Sequence, residues 1–143
     1  MAKPNYRISF NFKQSSHILK NKRLLKKYIA NIFVKETRVL DSLDFIFCTD
    51  EDLLAFNNQF LKHDYYTDIL TFDLSTSESI VGEIYISLDR IRENAQSFHT
   101  SLKAELHRVI FHGILHLCGY KDSTRKEKQI MREKEEEYLK KYL

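Results

Sequence analysis

With two cysteines, one proline and three glycines in 143 residues, the chain has little of what several protein classes are made from. Cys48 and Cys118 stand far apart with no C-x-x-C spacing, which speaks against a disulfide framework or a thiolate zinc cluster and leaves two reduced, buried thiols. No Gly/Ser/Pro-rich stretch marks a linker and no segment repeats, so the length suits one core and one domain over residues 1–143. No apolar run reaches the roughly 18 residues of a membrane span, and the opening MAKPNYRISF lacks the apolar stretch of a secretory signal. The expectation is a soluble cytoplasmic protein, monomeric or weakly oligomeric.

A strong net charge is missing too, the formal value being +3. That near-balance averages two unlike regions. Residues 1–40 hold ten Lys or Arg and one acid, Glu36, whereas the remainder holds thirteen bases and nineteen acids. A basic end on a small domain attracts phosphate backbones without reading their sequence, so Lys20, Arg23 and Lys27 are candidate nucleic-acid contacts. A solvated, lysine-rich helix face accounts for the same charges.

Hydrophobic periodicity gives the elements. Tyr6, Ile8, Phe10 and Phe12 alternate with polar residues as in a half-buried strand. From Ser16 to about Lys35 the period becomes helical, with Ile18, Leu25, Tyr28, Ile29 and Ile32 in one stripe. A strand through Leu43, Phe45 and Phe47 follows, and Thr49 then caps a helix whose first turn, Asp50 to Asp52, suits its dipole and which ends near Lys62. Two apolar runs, Ile69 to Leu74 and Ile80 to Ser87, read as neighbouring strands. Ser87 opens a short helix, Thr100 or Ser101 opens another that Gly119 stops, and Thr124 with Glu127 has the form of a capping box for the last. The expected class is α/β in the broad sense (α+β), about four strands and five helices.

The chemistry concentrates in HGILHLCGYKD. His112 and His116 are four residues apart, so on a helix both imidazoles project from one face. Gly119 breaks the helix, and the chain can reverse so that Asp122 returns its carboxylate toward them. H-x-x-x-H-x-x-G-x-x-D thus supplies three ligands to a divalent ion such as Zn²⁺ and leaves a tetrahedral position for water, the layout of a catalytic site in which water becomes acidic enough to attack at neutral pH. The bland reading is two hydrogen-bonded core histidines. Gly113 weighs against it, because a glycine inside a helix costs roughly 1 kcal/mol against alanine and asks for a reason such as close approach of a strand or a substrate.

At these residues the chain resembles the YbeY family of endoribonucleases, whose signature reads H-G-x-L-H-L-x-G-Y-D-H. FNNQFLKHDYYTDILTF is similar to the family's L-N-x-x-Y-R followed by T-D-V-L-S-F, and VGEIYIS resembles its G-D-I-x-I-S strand. Together these cover much of residues 56–122 in the right order. The resemblance implies a mixed four-stranded sheet flanked by helices with a zincin-like metal helix beneath it, one Zn²⁺ per chain, and single-strand-specific RNA cleavage in ribosomal RNA maturation and ribosome quality control, with ribosomal RNA and the ribosome as partners. Lys20, Arg23 and Lys27 then become RNA contacts.

Two positions depart from the family pattern. Asp122 stands where the family has its third zinc histidine, and a carboxylate is a competent replacement ligand. Leu61 stands where the family has an arginine, and leucine cannot clamp a phosphate. Phosphate recognition then falls to Arg108, His63 or the lysines of the first helix, and Asp68 orients a substrate or a ligand histidine, or simply forms a turn before a strand. Cys118 points away from the ion as a core residue, His99 and His107 are off the ligand face, and REKEEEYLKK is a solvated helix face packed through Tyr138 and Leu139. A metalloprotease-like zinc hydrolase shares the ligand spacing, but Gly113 occupies the place of its general-base glutamate. A non-catalytic ribosome-assembly factor that binds RNA is the other alternative.

Overall fold

The computed structural model describes residues 5–14, 16–61 and 67–143, without the side chains of residues 60 and 61. Strand β1 (Arg7–Phe12) leads through α1 (Lys22–Lys35) to β2 (Leu40–Cys48), followed by α2 (Asp50–Leu61), β3 (Ile69–Asp73) and β4 (Ile80–Ser87). Three helices complete the chain: α3 (Leu88–Ser97), α4 (Leu102–Leu117) and α5 (Arg125–Tyr142). The sheet order is β1-β2-β4-β3, with β1, β2 and β4 mutually parallel and β3 antiparallel to β4. It is the expected mixed four-stranded α+β arrangement with five helices.

Period-two burial on the central strands builds the core. Leu43, Phe45 and Phe47 of β2 and Ile84 and Ile86 of β4 are all buried, and the register pairs Phe45 with Ile84 and Phe47 with Ile86. Both rows therefore face the same side of the sheet. Helices α1 and α4 cover that side, α1 with Leu25, Ile29, Ile32 and Phe33, and α4 with Leu106, Val109, Ile110 and Ile114. A smaller cluster, Cys48 and Leu70 with Leu53 of α2, lies on the other face.

Helix starts follow the capping residues. Thr49 Oγ1 accepts from Asp52 N–H while Asp52 accepts from Thr49 N–H, Ser87 accepts from Arg90 N–H, Ser101 accepts from Ala104 N–H, and Thr124 and Glu127 form a complete capping box. The first helix departs from expectation. It begins at Lys22 rather than Ser16, because Asn21 takes a left-handed conformation (φ 53°) that interrupts the helical path. In the irregular segment ahead of it Leu19, outside the expected stripe, is buried, whereas Ile18 of that stripe is half-buried. Lys20 accordingly lies before the helix that carries Arg23 and Lys27.

Candidate metal centre

Close packing of α4 on the sheet sets the centre. An added Cβ on Gly113 would stand 2.9 Å from Ile69 Cδ1 and 3.0 Å from Ile84 Cδ1, so the glycine is where the helix backbone approaches β3 and β4. His112, one residue earlier, and His116, one turn later, are turned to the edge of that contact, where both are half-buried. With Asn57, Thr67, Asp68 and Asp122 they line a cavity of about 580 Å³.

Gly119 does what its position implies. Its φ of +106° admits glycine and few other residues, and the turn sends Tyr120 N–H back to the carbonyl of Leu115 at 3.0 Å. Arg38 donates to the carbonyl of Cys118 at 2.9 Å, further satisfying the helix end. The same turn brings the Tyr120 carbonyl to His116, whose Nδ1–H donates to it at 2.9 Å. Three residues on, Asp122 Oδ2 lies 3.3 Å from His112 Nε2 and 3.5 Å from His116 Nε2.

His112 is held from a different direction. Its Nδ1–H donates to Glu135 of α5, which also accepts from Arg108 Nη1 at 3.1 Å. Glu135 is only 4% exposed. Arg108 in turn donates through Nε and Nη2 to Glu105, at 2.9 and 2.6 Å, and these carboxylate contacts outweigh burial and hold its guanidinium pKa above the ordinary value. A chain of acid, guanidinium, acid and imidazole therefore fixes the ring of His112, and both histidines present Nε2 toward Asp122 with the tautomer set by an outer partner.

The donor set suits a small divalent ion. One atom from each of the three residues lies within 4.8 Å of the others. Bonds of about 2.0–2.1 Å at tetrahedral angles require ligand atoms roughly 3.3 Å apart, which the two Asp122 separations match without rearrangement. Two neutral imidazoles and a carboxylate are the ligand chemistry of zinc and its neighbours.

Other expected residues fare unevenly. Asp68 does line the cavity, with Asn94 Nδ2 3.4 Å from its Oδ2. Burial raises its carboxyl pKa, against the lowering influence of Arg108 and His112. No hydrogen bond joins it to a ligand histidine among the described residues, so Glu135 and the Tyr120 carbonyl are the orienting groups. Arg108, one of the candidate phosphate contacts, is paired with Glu105 and Glu135. His63 and the side chain of Leu61 lie outside the described residues. Cys118 is buried core, as expected, and its thiol is pushed up to about 12, chiefly by that burial.

The principal surprise is the C-terminal helix. REKEEEYLKK is not merely a solvated face, because Glu135 is buried against the centre. The signal was present in the spacing Met131, Glu135, Tyr138, Tyr142, a helical stripe whose other members are buried or half-buried. A single acid on an apolar stripe marks a buried partner waiting across the interface.

Comparison with known proteins bears on the same residues. The family model described as Endoribonuclease YbeY matches residues 8–143. The chain is 48% identical over 132 residues to the Endoribonuclease YbeY of Cytophaga hutchinsonii, covering 91% of this chain and 92% of that protein. Against the Endoribonuclease YbeY of Christiangramia forsetii identity is 43% over 128 residues, covering 90% of each. The solution structure of TM1509 from Thermotoga maritima superposes with a TM-score of 0.67 at 32% identity, covering 93% of this chain and 86% of that one.

Proposed function

This chain belongs to the YbeY endoribonuclease family, and on that premise we propose that it is a zinc-dependent endoribonuclease acting on single-stranded RNA, ribosomal RNA included, as one domain over residues 1–143. The observation that carries the reading is the convergence of His112 Nε2, His116 Nε2 and Asp122 Oδ2 on one point at the wall of an open cavity. His112, His116 and Asp122 would hold the ion, which when bound supplies a Lewis acid for the phosphoryl oxygen and a source of hydroxide at neutral pH.

The chain's own groups do the rest. Glu135 and the Tyr120 carbonyl keep the imidazole protons on Nδ1 and so keep Nε2 available as donors to the ion. Asp68 lines the same cavity, within reach of a bound phosphodiester, and burial raises its carboxyl pKa above the ordinary value. Lys20, Arg23 and Lys27, all exposed, would meet RNA phosphates outside the cavity. Gly113 disfavours the peptidase alternative, because its Cα faces Ile69 and Ile84 and leaves no room there for a general-base side chain.

The test is cleavage of single-stranded RNA by the purified full chain, with and without chelator, beside His112→Ala and Asp68→Asn. Activity should vanish with chelator, return with zinc, be lost in His112→Ala, and fall in Asp68→Asn with bound metal retained. Cleavage indifferent to chelator and to His112→Ala would overturn the metal reading, and RNA left intact by the zinc-loaded protein would leave a binding factor.

A further inference from the structure

At the end of the α4–α5 pair remote from the metal, a second cavity of about 380 Å³ lies beside Lys20, Lys103, His107 and Tyr142. That volume is in the range of small-ligand sites. His107 is nine residues before His116, about 13 Å along the helix axis, and it lies on nearly the opposite side of α4 from the ligand pair. Nothing in the metal centre uses it. The cavity is therefore separate from the one that Asp68, His112 and Asp122 line.

Its walls combine two chemistries. His107 and Tyr142 lie nearly parallel, ring centroids 5.2 Å apart at 29°, and Tyr142 is steadied from behind by Tyr28 at 4.8 Å and Phe111 at 5.9 Å. His107 Nδ1–H donates to the carbonyl of Lys103 at 2.7 Å, leaving Nε2 as an acceptor, and burial lowers the imidazole toward the neutral form. Around this apolar, hydrogen-bonding floor stand cations. Lys20 and Lys103 are exposed at the rim, and a second hollow on the far side of Tyr142 is bordered by Lys27 and Lys141. No carboxylate lines either hollow among the described residues, although Glu137 acts on the Tyr28 hydroxyl from nearby.

We propose that the Tyr142 cavity is a second RNA site, which seats one base of a single-stranded segment against the half-exposed edge of Tyr142 while Lys20, Lys103, Lys27 and Lys141 hold the adjoining phosphates. A half-exposed tyrosine edge flanked by lysines accepts any base and any backbone phosphate, which suits strand capture more than sequence reading. A duplex keeps its bases stacked inside and cannot fill the cavity. The site rests on the reading that this chain meets RNA, and it explains why part of the basic surface gathers far from the metal: it would grip a stretch of strand that is not being cut.

Binding is measured by fluorescence anisotropy on the zinc-loaded full chain, with a labelled 2′-O-methyl RNA of about twelve unpaired nucleotides, a length that spans one such groove. Lys103→Glu with Lys141→Glu alters only exposed side chains and should weaken binding by about tenfold or more at low salt. Ultraviolet crosslinking of the same RNA should label the peptide containing Tyr142. Unchanged affinity in the double variant, crosslinks confined elsewhere, equal affinity for the matching duplex, or displacement by AMP as efficient as by the oligonucleotide would each overturn the proposal. Binding is read without cleavage, so a chain that gripped RNA here but cut none would sink the nuclease reading and leave this one standing.

Discussion

Glu135 contributes one carboxylate to two donors, the Nδ1–H of His112 and the guanidinium of Arg108. A glutamine there offers one acceptor oxygen and turns an NH₂ toward a donor, so one of the two contacts must fail. Glu135→Gln should therefore bind zinc about 10–100-fold more weakly than the parent, the usual effect of losing an outer partner of a ligand histidine, measured by competition with a chromophoric chelator. Equal affinity would mean that the contact does not tune the ligand. Gly113 makes the opposite kind of contribution, by lacking atoms. Alanine would gain about 1 kcal/mol of helix propensity, but its methyl would lie within 2.9–3.0 Å of two isoleucine side chains and 3.3 Å from Ile84 Cγ2. Overpacking commonly costs 1–3 kcal/mol, so Gly113→Ala should be destabilised by about 1 kcal/mol in urea unfolding.

Elements are joined by a half-buried polar knot at the end of α1. Glu36 accepts from the hydroxyls of Tyr120, at 2.7 Å, and Tyr138, and Lys134 stands 3.8 Å away. It thereby ties the α1–β2 corner to α5 and to the turn that carries the metal ligands. Burial alone would raise its pKa, but the two hydroxyls and the ammonium outweigh it and hold the carboxyl below the ordinary value. A group depressed on folding binds its proton more readily when unfolded, so its stabilisation is present above the unfolded value near 4.5 and disappears as pH falls through the lower folded value. Glu36→Gln should be less stable than the parent by about 1–3 kcal/mol at pH 7, and the gap should narrow below pH 4.5. Denaturation midpoints of both proteins across that range check it. A constant gap would locate the effect in packing.

Across the whole molecule, both thiols report on the closed core. Cys48 lies on the α2 face and Cys118 at the end of α4, 5% and 7% exposed, with pKa values raised to about 11 and about 12 mainly by burial. Alkylation requires access and thiolate together. Both cysteines should resist iodoacetamide at pH 8 in the native protein and react quickly in denaturant, followed by mass spectrometry, and fast native labelling of Cys118 would reveal opening of the helix end beside the metal. Charge is also organised at this scale. Asp68 and Asp122 line the metal cavity, whereas Lys20 and Lys103 line the cavity at the other end of the α4–α5 pair. Among the described residues no helix is long and apolar enough to cross a membrane.

Local rules fixed whatever depends on neighbours along the chain. Thr49, Ser87, Ser101 and Thr124 marked helix starts because a capping oxygen reaches a backbone N–H two or three residues ahead, and Gly119 marked a helix end because few other residues adopt its φ. His112, His116 and Asp122 were legible for the same reason, lying within eleven residues of helix and turn whose geometry is nearly local. What stayed hidden spans the chain: Glu135 beneath His112, Arg108 spent between two acids, and Lys103 and His107 meeting Lys20 and Tyr142 at one cavity. Those meetings depend on how α5 lies along α4 and on where the segment before α1 packs. Only burial against a distant partner decides whether a charged residue in a helix is solvent-facing or part of a site.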